Sequence, residues 1–402
     1  MFGKTVAVLA LAASFAVTGI PPGLAGGQAS AGPPGWYDTN ASAAQSRANL
    51  AEKLLTPSSV TKVKYLRSAV SSPYPRSGQC AGGIVAPLPA NGYLYAITNG
   101  RLSKYNPATG KLIWRKTPDP SFTEAYDSLA ISANLILVGG SDCLSVSDPN
   151  GIVYAYNAAT GAPVWKALPA GPVDGVVALG SSYVVTAGES AAAAYVVSVF
   201  NLSNGKLIWS GDGCLTSGPT EPVVVGLVVI GYGCDNQQLD TLQAWNLATG
   251  APLWSLPTGW APQRGDLAGS AGSHLYATDP SGTVVDLNPK TGQVEYSLSQ
   301  AVNVLAVDTS RVYATCGSQG QSLCAYNTST GALDWQKTNL ATPPTSAAEA
   351  DGVLYLGTGA VLNAATGQRI TKIGESPVAV GDGRIVAVPD PRVIDLFGLP
   401  GS

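Results

Sequence analysis

Short apolar segments separated by small polar turns recur along most of the chain. The segment from Tyr195 to Phe200 has the alternating pattern of a strand in which every second side chain faces the core. The segment from Lys206 to Trp209 follows it after a turn. Upstream, Val176 to Leu179 and Tyr183 to Thr186 are separated by three small residues. Alternation with a period of two is typical of half-buried β-strands. The pattern therefore predicts four short antiparallel strands in this stretch.

One turn pattern recurs seven times. An apolar or aromatic residue is followed by Asn, three mostly small residues and Gly, usually with an aromatic residue four places after the Gly. The Asn side chain can accept backbone N–H groups, and Gly adopts the positive φ that closes a hairpin. Successive glycines lie 36 to 51 residues apart, which is the length of one four-stranded unit. The predicted hairpin tips are residues 106–110, 157–161, 201–205, 246–250, 288–292, 327–331 and 363–367.

These repeats resemble those of the pyrroloquinoline-quinone (PQQ)-like propeller proteins, whose blades carry a strand, a short turn ending in Thr-Gly and a Trp four residues later. The resemblance covers the chain from about Asn49 to the end, and the segment from Asn49 to Lys64 resembles the lead-in that such proteins place before their first blade. Enzymes and non-enzymatic binding proteins share these repeats. The resemblance therefore implies a β-propeller and leaves the function open.

The two ends of the chain together predict an eighth blade. Three apolar segments follow the seventh turn within residues 378–396, and Gly401 lies where an eighth turn glycine is expected. The fourth strand is missing there, whereas Val63 to Arg67 is left over before the first blade. Pairing Thr61 to Ser68 with the last blade leaves no open sheet edge. We expect an all-β, eight-bladed β-propeller of four-stranded antiparallel blades, closed by an N-terminal strand, with seven blades as the alternative.

The N-terminus has the order of a signal peptide. Lys4 is the one charged residue within residues 1–31, and a mostly apolar run from Val6 to Ile20 precedes three small residues at 29–31. We expect residues 1–31 to be a signal peptide, 32–59 a lead-in segment and 60–402 the PQQ-like propeller. The lead-in should contain at most one short helix and no core of its own, so protease should remove it first.

Composition and charge exclude several classes of partner. Charged residues make up 12% of the chain, with 47 Gly and 29 Pro, which is typical of short strands joined by tight turns. The formal net charge is −3 and no basic run is present, which argues against nucleic acid. His274 is the one histidine, so we expect no metal site of the His and Cys type. We expect a monomer that is secreted, extracellular or associated with the cell wall, without a transmembrane segment.

Six cysteines in an exported chain predict three disulfides. In a four-stranded meander, the connections between blades and those between the second and third strands emerge on one face, and the cysteines lie in or beside such connections. The predicted pairs are Cys80 with Cys143, Cys214 with Cys234, and Cys316 with Cys324. They would stiffen the face opposite the Asn-to-Gly turns, as a binding surface exposed to proteases requires.

Candidate ligand-binding residues lie in predicted connections on that face. Trp260 lies outside the repeat position, and Arg264 and Asp266 follow it in a predicted loop between blades 4 and 5. An aromatic ring beside a charged pair can hold a polar ligand, and an ordinary loop with a surface ion pair is the alternative. The further candidates, in comparable connections, are Glu124, Asp212 and Asp235. We interpret the repeat tryptophans and turn asparagines as structural, and His274 as structural or exposed.

Two functions remain open. The preferred hypothesis is a non-catalytic propeller that binds an extracellular protein, peptide or glycan on this face, without a cofactor. The alternative is a quinoprotein dehydrogenase that oxidises alcohols or aldose sugars, for which the resemblance implies PQQ stacked on the propeller axis, calcium with oxygen ligands and an aspartate base. Many alcohol-oxidising relatives have two adjacent cysteines, whereas Cys316 and Cys324, the closest pair here, are eight residues apart. A hydrolase with a Ser/His/Asp set is disfavoured by the single histidine, and the sequence singles out no catalytic residue.

Overall fold

The structure is a computed structural model. It describes residues 40–70, 84–98, 100–117, 124–132, 134–142, 150–188, 195–212, 222–234, 240–265, 274–338, 340, 342–390 and 393–400.

Within these ranges the chain forms eight sheets, the blades, each with four antiparallel strands, and very little helix. The sheet of the seventh blade carries one additional, parallel strand. The two strands before blade 1 are β1 (Ala48–Asn49) and β2 (Lys64–Val70). Blade 1 contains β3 (Ile84–Ala90), β4 (Tyr93–Thr98), β5 (Arg101–Tyr105) and β6 (Leu112–Lys116). Blade 2 contains β7 (Glu124–Ser132), β8 (Leu135–Asp142), β9 (Gly151–Asn157) and β10 (Pro163–Ala167). Blade 3 contains β11 (Gly175–Leu179), β12 (Tyr183–Gly188), β13 (Val196–Asn201) and β14 (Leu207–Asp212). Blade 4 contains β15 (Val223–Val225), β16 (Val228–Cys234), β17 (Asp240–Asn246) and β18 (Pro252–Leu256).

The second half of the ring has the same organisation. Blade 5 contains β19 (Ala261–Gly265), β20 (Leu275–Thr278), β21 (Val284–Leu287) and β22 (Val294–Ser297). Blade 6 contains β23 (Ala301–Val307), β24 (Arg311–Cys316), β25 (Ser322–Asn327) and β26 (Leu333–Lys337). Blade 7 contains β27 (Ala347–Ala350), β28 (Val353–Leu356), β29 (Ala360–Asn363) and β30 (Arg369–Lys372). Blade 8 contains β31 (Pro377–Gly381), β32 (Arg384–Asp390), β33 (Val393–Gly398) and β2. Two short 3₁₀ helices are Val60–Lys62 and Ser318–Gly320.

The two ends of the chain close the ring. Strand β2 pairs antiparallel with β33, from Lys64 opposite Gly398 to Val70 opposite Val393. The innermost strand of blade 8, β31, contacts the innermost strands of both blade 7 and blade 1. Both the predicted closure and the predicted eight blades are confirmed, and the alternative of seven blades is wrong.

The seven Asn-to-Gly turns have the predicted local chemistry. In each turn the Asn Oδ1 accepts the backbone N–H of the second residue after it, at 2.8–3.0 Å. The closing glycines have φ values between +66° and +71°, a region that residues with a Cβ adopt at a cost. We call the surface that carries these turns, together with the turns between first and second strands, the turn face. The opposite surface, with the connections between blades and between second and third strands, is the loop face.

The repeat tryptophans link neighbouring blades, as predicted. The indole Nε1 of Trp209 donates to the backbone oxygen of Leu247, the residue after the turn Asn of the next blade, at 2.7 Å. Three further tryptophans make the equivalent bond, namely Trp165 to Leu202, Trp254 to Pro289 and Trp335 to Ala364. Blade 1 differs, because the buried Lys104 Nζ donates to the corresponding oxygen of Ala158 at 2.9 Å. There the buried Trp114 Nε1 has no hydrogen-bond partner among the described residues.

This difference gives a matched test of the tryptophan bond. Trp209→Phe removes a ring edge and a hydrogen bond, whereas Trp114→Phe removes a similar ring edge and no hydrogen bond. We expect Trp209→Phe to lower the free energy of unfolding by about 1 kcal/mol more than Trp114→Phe does. Equilibrium urea unfolding of the two variants measures the difference, and equal losses would show that the indole bond adds no stability.

Candidate functional site

A segment of the chain itself runs around the inner wall of the ring, near the turn face. Residues 41–49, which we call the axial segment, run past the innermost strands of five consecutive blades. Four backbone oxygens of this segment each accept an N–H from a different blade, so the segment gains one main-chain hydrogen bond from each of blades 4 to 7. The bonds are Val224 N–H to Ala43 O (2.7 Å), Gly265 N–H to Ala44 O (2.7 Å), Val307 N–H to Ser46 O (2.8 Å) and Glu349 N–H to Arg47 O (2.9 Å).

Side chains of the axial segment extend this contact to blade 8. Asn49 Nδ2 donates to the backbone oxygen of Val380 at 2.9 Å, and the Arg47 guanidinium donates to those of Ala347 at 2.6 Å and Val378 at 3.2 Å. Strand β1 pairs in parallel with β27. Ala41, Gln45 and Arg47 have φ values of 52–75°, an unfavourable conformation that the surrounding contacts hold in place.

The lead-in therefore differs from the expectation for residues 32–59. Ser46 and Ala48 are 0–1% exposed, and every residue from 41 to 49 except the half-buried Arg47 is buried. The described part has no core of its own, as expected, because it contributes to the core of the propeller. Burial of residues 41–49 argues against early cleavage within them, and the expectation that protease removes residues 32–59 first stays a prediction. The expected signal peptide, residues 1–31, lies outside the described residues.

The candidate residues Trp260 and Arg264 have structural contacts. The expected loop is in part the innermost strand of blade 5, β19, which begins directly after Trp260. Trp260 is half-buried and packs against the apolar core between blades 4 and 5. Arg264 Nη1 donates to the backbone oxygen of Gln45 at 2.7 Å, and its Nε donates to that of Val304 at 3.0 Å. Arg264 thus fastens the axial segment to blades 5 and 6.

The structure gives less information about the other four candidates. Glu124 is the first residue of β7 and Asp212 is the last residue of β14, so both lie at strand ends on the loop face. Asp235 and Asp266 lie outside the described residues. A ligand role for any of the six candidates stays a prediction.

One predicted disulfide is present. Cys316 and Cys324 are bonded, with their Cα atoms 5.9 Å apart, and they flank the connection between β24 and β25 on the loop face. Cys80, Cys143 and Cys214 lie outside the described residues, and only the backbone of Cys234 is described, at the end of β16. The other two predicted pairs stay predictions.

His274, Asp286 and Glu295 form the one set of three potential metal ligands within 4.8 Å of one another among the described residues. His274 Nδ1 lies 2.6 Å from Oδ2 of the fully buried Asp286. Burial raises the pKa of Asp286, and the hydrogen bond to His274 opposes that shift. In blade 6 the places of His274 and Glu295 are taken by Arg311 and Asp334, which form an ion pair at 3.0 Å. This equivalence favours a structural interpretation, and the expected lack of a metal site stays a prediction.

Sequence reasoning missed the axial segment, because residues 41–49 are small or polar and show neither strand nor helix periodicity. Every one of their bonds to the blades uses a backbone atom on at least one side, and a backbone atom leaves no mark on the side-chain pattern. The innermost strands were also hard to recognise in the sequence, because they contain proline and glycine. Strand β19, for example, contains Pro262 and Gly265. Proline is tolerated in strands with one unpaired edge.

The ring of four-stranded blades, closed by an N-terminal strand and lined by the axial segment near its turn face, defines a PQQ-like β-propeller. A sequence profile described as "Outer membrane protein assembly factor BamB" matches residues 98–235 and 238–393, and the chain belongs to this family. No curated protein matches the chain significantly.

Similar solved structures include enzymes and an assembly factor. Quinohemoprotein alcohol dehydrogenase ADHIIG from Pseudomonas putida HK5 has a TM-score of 0.65 and 13% identity, covering 92% of this chain and 81% of that one. Quinohemoprotein alcohol dehydrogenase from Comamonas testosteroni has a TM-score of 0.61 and 13% identity with the same coverage. BamB from Moraxella catarrhalis has a TM-score of 0.58 and 18% identity, covering 84% of this chain and 99% of that one. Identities this low show the shared fold alone. In the described part of this chain, no helix has the length and hydropathy needed to cross a bilayer.

Proposed function

We propose that this chain is a non-catalytic, exported propeller that binds a protein partner on its loop face and takes no PQQ. The observation that carries the proposal is the axial segment. The resemblance to quinoprotein dehydrogenases implies PQQ on the axis, where four backbone oxygens of residues 41–49 are bonded to four blades. These bonds lie near the turn-face ends of the innermost strands, and a planar cofactor at that level would have to displace them and leave buried N–H groups unpaired, at about 1–3 kcal/mol each. The axial segment therefore disfavours PQQ at the turn-face end of the ring, and we derive no reaction through it.

Two further features support an exported binding protein. The Cys316–Cys324 disulfide stiffens a loop-face connection, and disulfides persist in oxidising compartments outside the cytosol. Loops held by a rigid scaffold are common binding surfaces. The family description names an assembly factor of the outer membrane, which favours a protein over a peptide or glycan as the partner. The shared fold is the one remaining argument for a quinoprotein dehydrogenase.

The cofactor part is tested by adding PQQ and calcium to the purified protein. We expect no change in melting temperature and no dye-linked oxidation of alcohols or aldose sugars, because the axial segment already occupies the turn-face end of the inner wall. A ligand at 100 times its dissociation constant would add about 2.7 kcal/mol of stability, which a melting curve detects. A clear shift with turnover would overturn the proposal.

The partner part is tested by placing a photo-crosslinking amino acid at one of two exposed positions of blade 6. Gln321 lies in the loop-face connection beside the disulfide, and Ser329 lies in the Asn-to-Gly turn on the opposite face. We expect crosslinks to one defined protein from position 321 and none from position 329 in cells that express the chain. Crosslinks from position 329 alone would contradict the assignment of the loop face.

A further inference from the structure

A pocket of about 300 Å³ opens on the turn face between blades 6 and 7. Its walls are the turns between the first and second strands of the two blades, the Asn-to-Gly turn of blade 7, and Leu50 and Lys53, which follow the axial segment. Glu349, near the end of β27, lines the pocket and is 3% exposed. The pocket lies on the opposite side of the ring from the loop face and has no role in the function proposed above.

Glu349 has one carboxylate oxygen without a partner. Its Oε1 accepts the backbone N–H of Gly352 at 2.8 Å. Its Oε2 is buried and has no hydrogen-bond partner among the described residues. An unpaired buried carboxylate oxygen is costly, because water no longer solvates it and no protein group replaces the water. Glu349 lines the pocket, so a group bound there lies close to this carboxylate.

The two cations at the pocket are already engaged. Lys53 Nζ pairs with Asp351 Oδ1 at 3.3 Å, and Arg311 Nε pairs with Asp334 at 3.0 Å. The remaining carboxylate, Asp308, accepts the hydroxyl of Tyr313 and two backbone N–H groups. Among the acidic residues that line the pocket, Glu349 is thus the one with a buried carboxylate oxygen that has no partner among the described residues.

The fold does not need a carboxylate at this place. A second pocket, of about 360 Å³, lies at the equivalent position between blades 8 and 1. There Pro89 lies opposite Leu94 in the strand register, just as Glu349 lies opposite Leu354. Pro89 therefore takes the place of Glu349. Since one such seam forms around a proline, the carboxylate of Glu349 is an addition to the repeat rather than a requirement of it.

We propose that the pocket between blades 6 and 7 binds the ammonium group of a small primary amine, with Glu349 Oε2 as its acceptor. A single open carboxylate suits one charged donor, because charge-assisted N–H···O⁻ bonds are about twice as strong as neutral ones. The volume is at the lower limit of small-molecule sites. A metal ion fits less well, since Asp308, Glu349 and Asp351 do not form a set of three ligands within 4.8 Å among the described residues.

The amine and a proton compete for Glu349. Burial raises the pKa of Glu349 to about 8, and the negative charge of Asp308 adds to the shift. The negative charge of Asp351 also raises the pKa of Glu349, whereas the positive charge of Lys53 lowers it. The phenols of Tyr313 and Tyr355 and the guanidinium of Arg311 face the same region. Because the amine binds the ionised form, its affinity should fall about tenfold for each pH unit below 8.

The test is isothermal titration calorimetry of the full chain with putrescine at pH 8.5, with 1,4-butanediol as the uncharged control. We expect putrescine to bind and the diol not to bind. Glu349→Gln keeps an oxygen for Gly352 N–H and removes the charge, so it should weaken putrescine binding at least tenfold. Its melting temperature without ligand shows whether it is folded. Ser310→Trp, at an exposed position of the pocket rim, should weaken binding without touching Glu349.

A peptide with one lysine distinguishes the source of the ammonium group. If putrescine binds in preference to this peptide, the ligand is a small amine, as proposed. If the peptide binds in preference to putrescine, the ammonium group belongs to a lysine side chain of a partner and the proposed small amine is wrong. Failure of both probes to bind at millimolar concentration, or equal binding by Glu349→Gln, would overturn the site. Neither result bears on the loop face, which the crosslinking experiment tests separately.

Discussion

A chain that begins at Ser77 is expected to be insoluble or to melt at least about 10 °C lower than the full chain. It lacks β2, so blade 8 would expose the edge of β33, and the ring would lose the strand that joins its two ends. It also lacks the axial segment. Thermal melting followed by circular dichroism measures the loss.

A rearranged chain separates the effect of losing β2 from the effect of losing the axial segment. Lys64 lies opposite Gly398, so β2 begins beside the end of β33. Moving residues 61–70 to a position after Ser402 in the chain that starts at Ser77 makes β2 the next strand of an ordinary hairpin. We expect this chain to be soluble and to regain part of the melting temperature, with the rest of the deficit due to the missing axial segment. Unchanged melting of the chain that starts at Ser77 would show that β2 does not close the ring.

The second large effect is expected at the turn glycines that face an aromatic ring. An added Cβ on Gly205 would lie 2.5 Å from the Trp165 ring, and the residue has φ +69°. Gly205→Ala therefore combines backbone strain with overpacking, and we expect a loss of about 3 kcal/mol in the free energy of unfolding. The experiment is equilibrium unfolding in denaturant.

Gly180→Ala is the matched control. Gly180 has φ +55° in a turn of the same blade, but no atom lies within 4 Å of an added Cβ. Only backbone strain applies there, so the expected loss is about 1 kcal/mol. Equal losses at the two positions would mean that the Trp165 ring moves aside freely and that the contact between blades is not tightly packed.

The sequence predicted those parts of the structure that depend on local chemistry. The Asn-to-Gly turns need a side-chain acceptor and a positive φ, and both requirements are visible in residues such as Asn246 and Gly250. Closure by an N-terminal strand followed from counting strands, although the strand is Lys64–Val70 instead of the predicted Thr61 to Ser68. The two 3₁₀ helices and the exact strand ends did not follow from the pattern, because they depend on packing against the rest of the ring.

The candidate site was harder to predict, because its parts depend on contacts between distant residues. Arg264 seemed free to bind a ligand, yet it holds the backbone of Gln45. Glu349 gave no signal, because a single Glu in a short apolar strand has no motif. Its significance comes from the missing partner at Oε2 and from Pro89 at the equivalent seam.

The axial segment also constrains the order of folding. It lies near the N-terminus and is synthesised early, but its partners are the innermost strands of blades 4 to 8. Asn49 and Glu52 bond to residues 331 positions later in the chain. Such non-local contacts form slowly, because a long loop must close before they contribute. An incomplete chain therefore has neither a fully bonded axial segment nor a closed ring, and the native state becomes accessible only after the last blade has been made. A chain that crosses a membrane before folding is compatible with this delay, since its N-terminal half cannot reach the final structure alone.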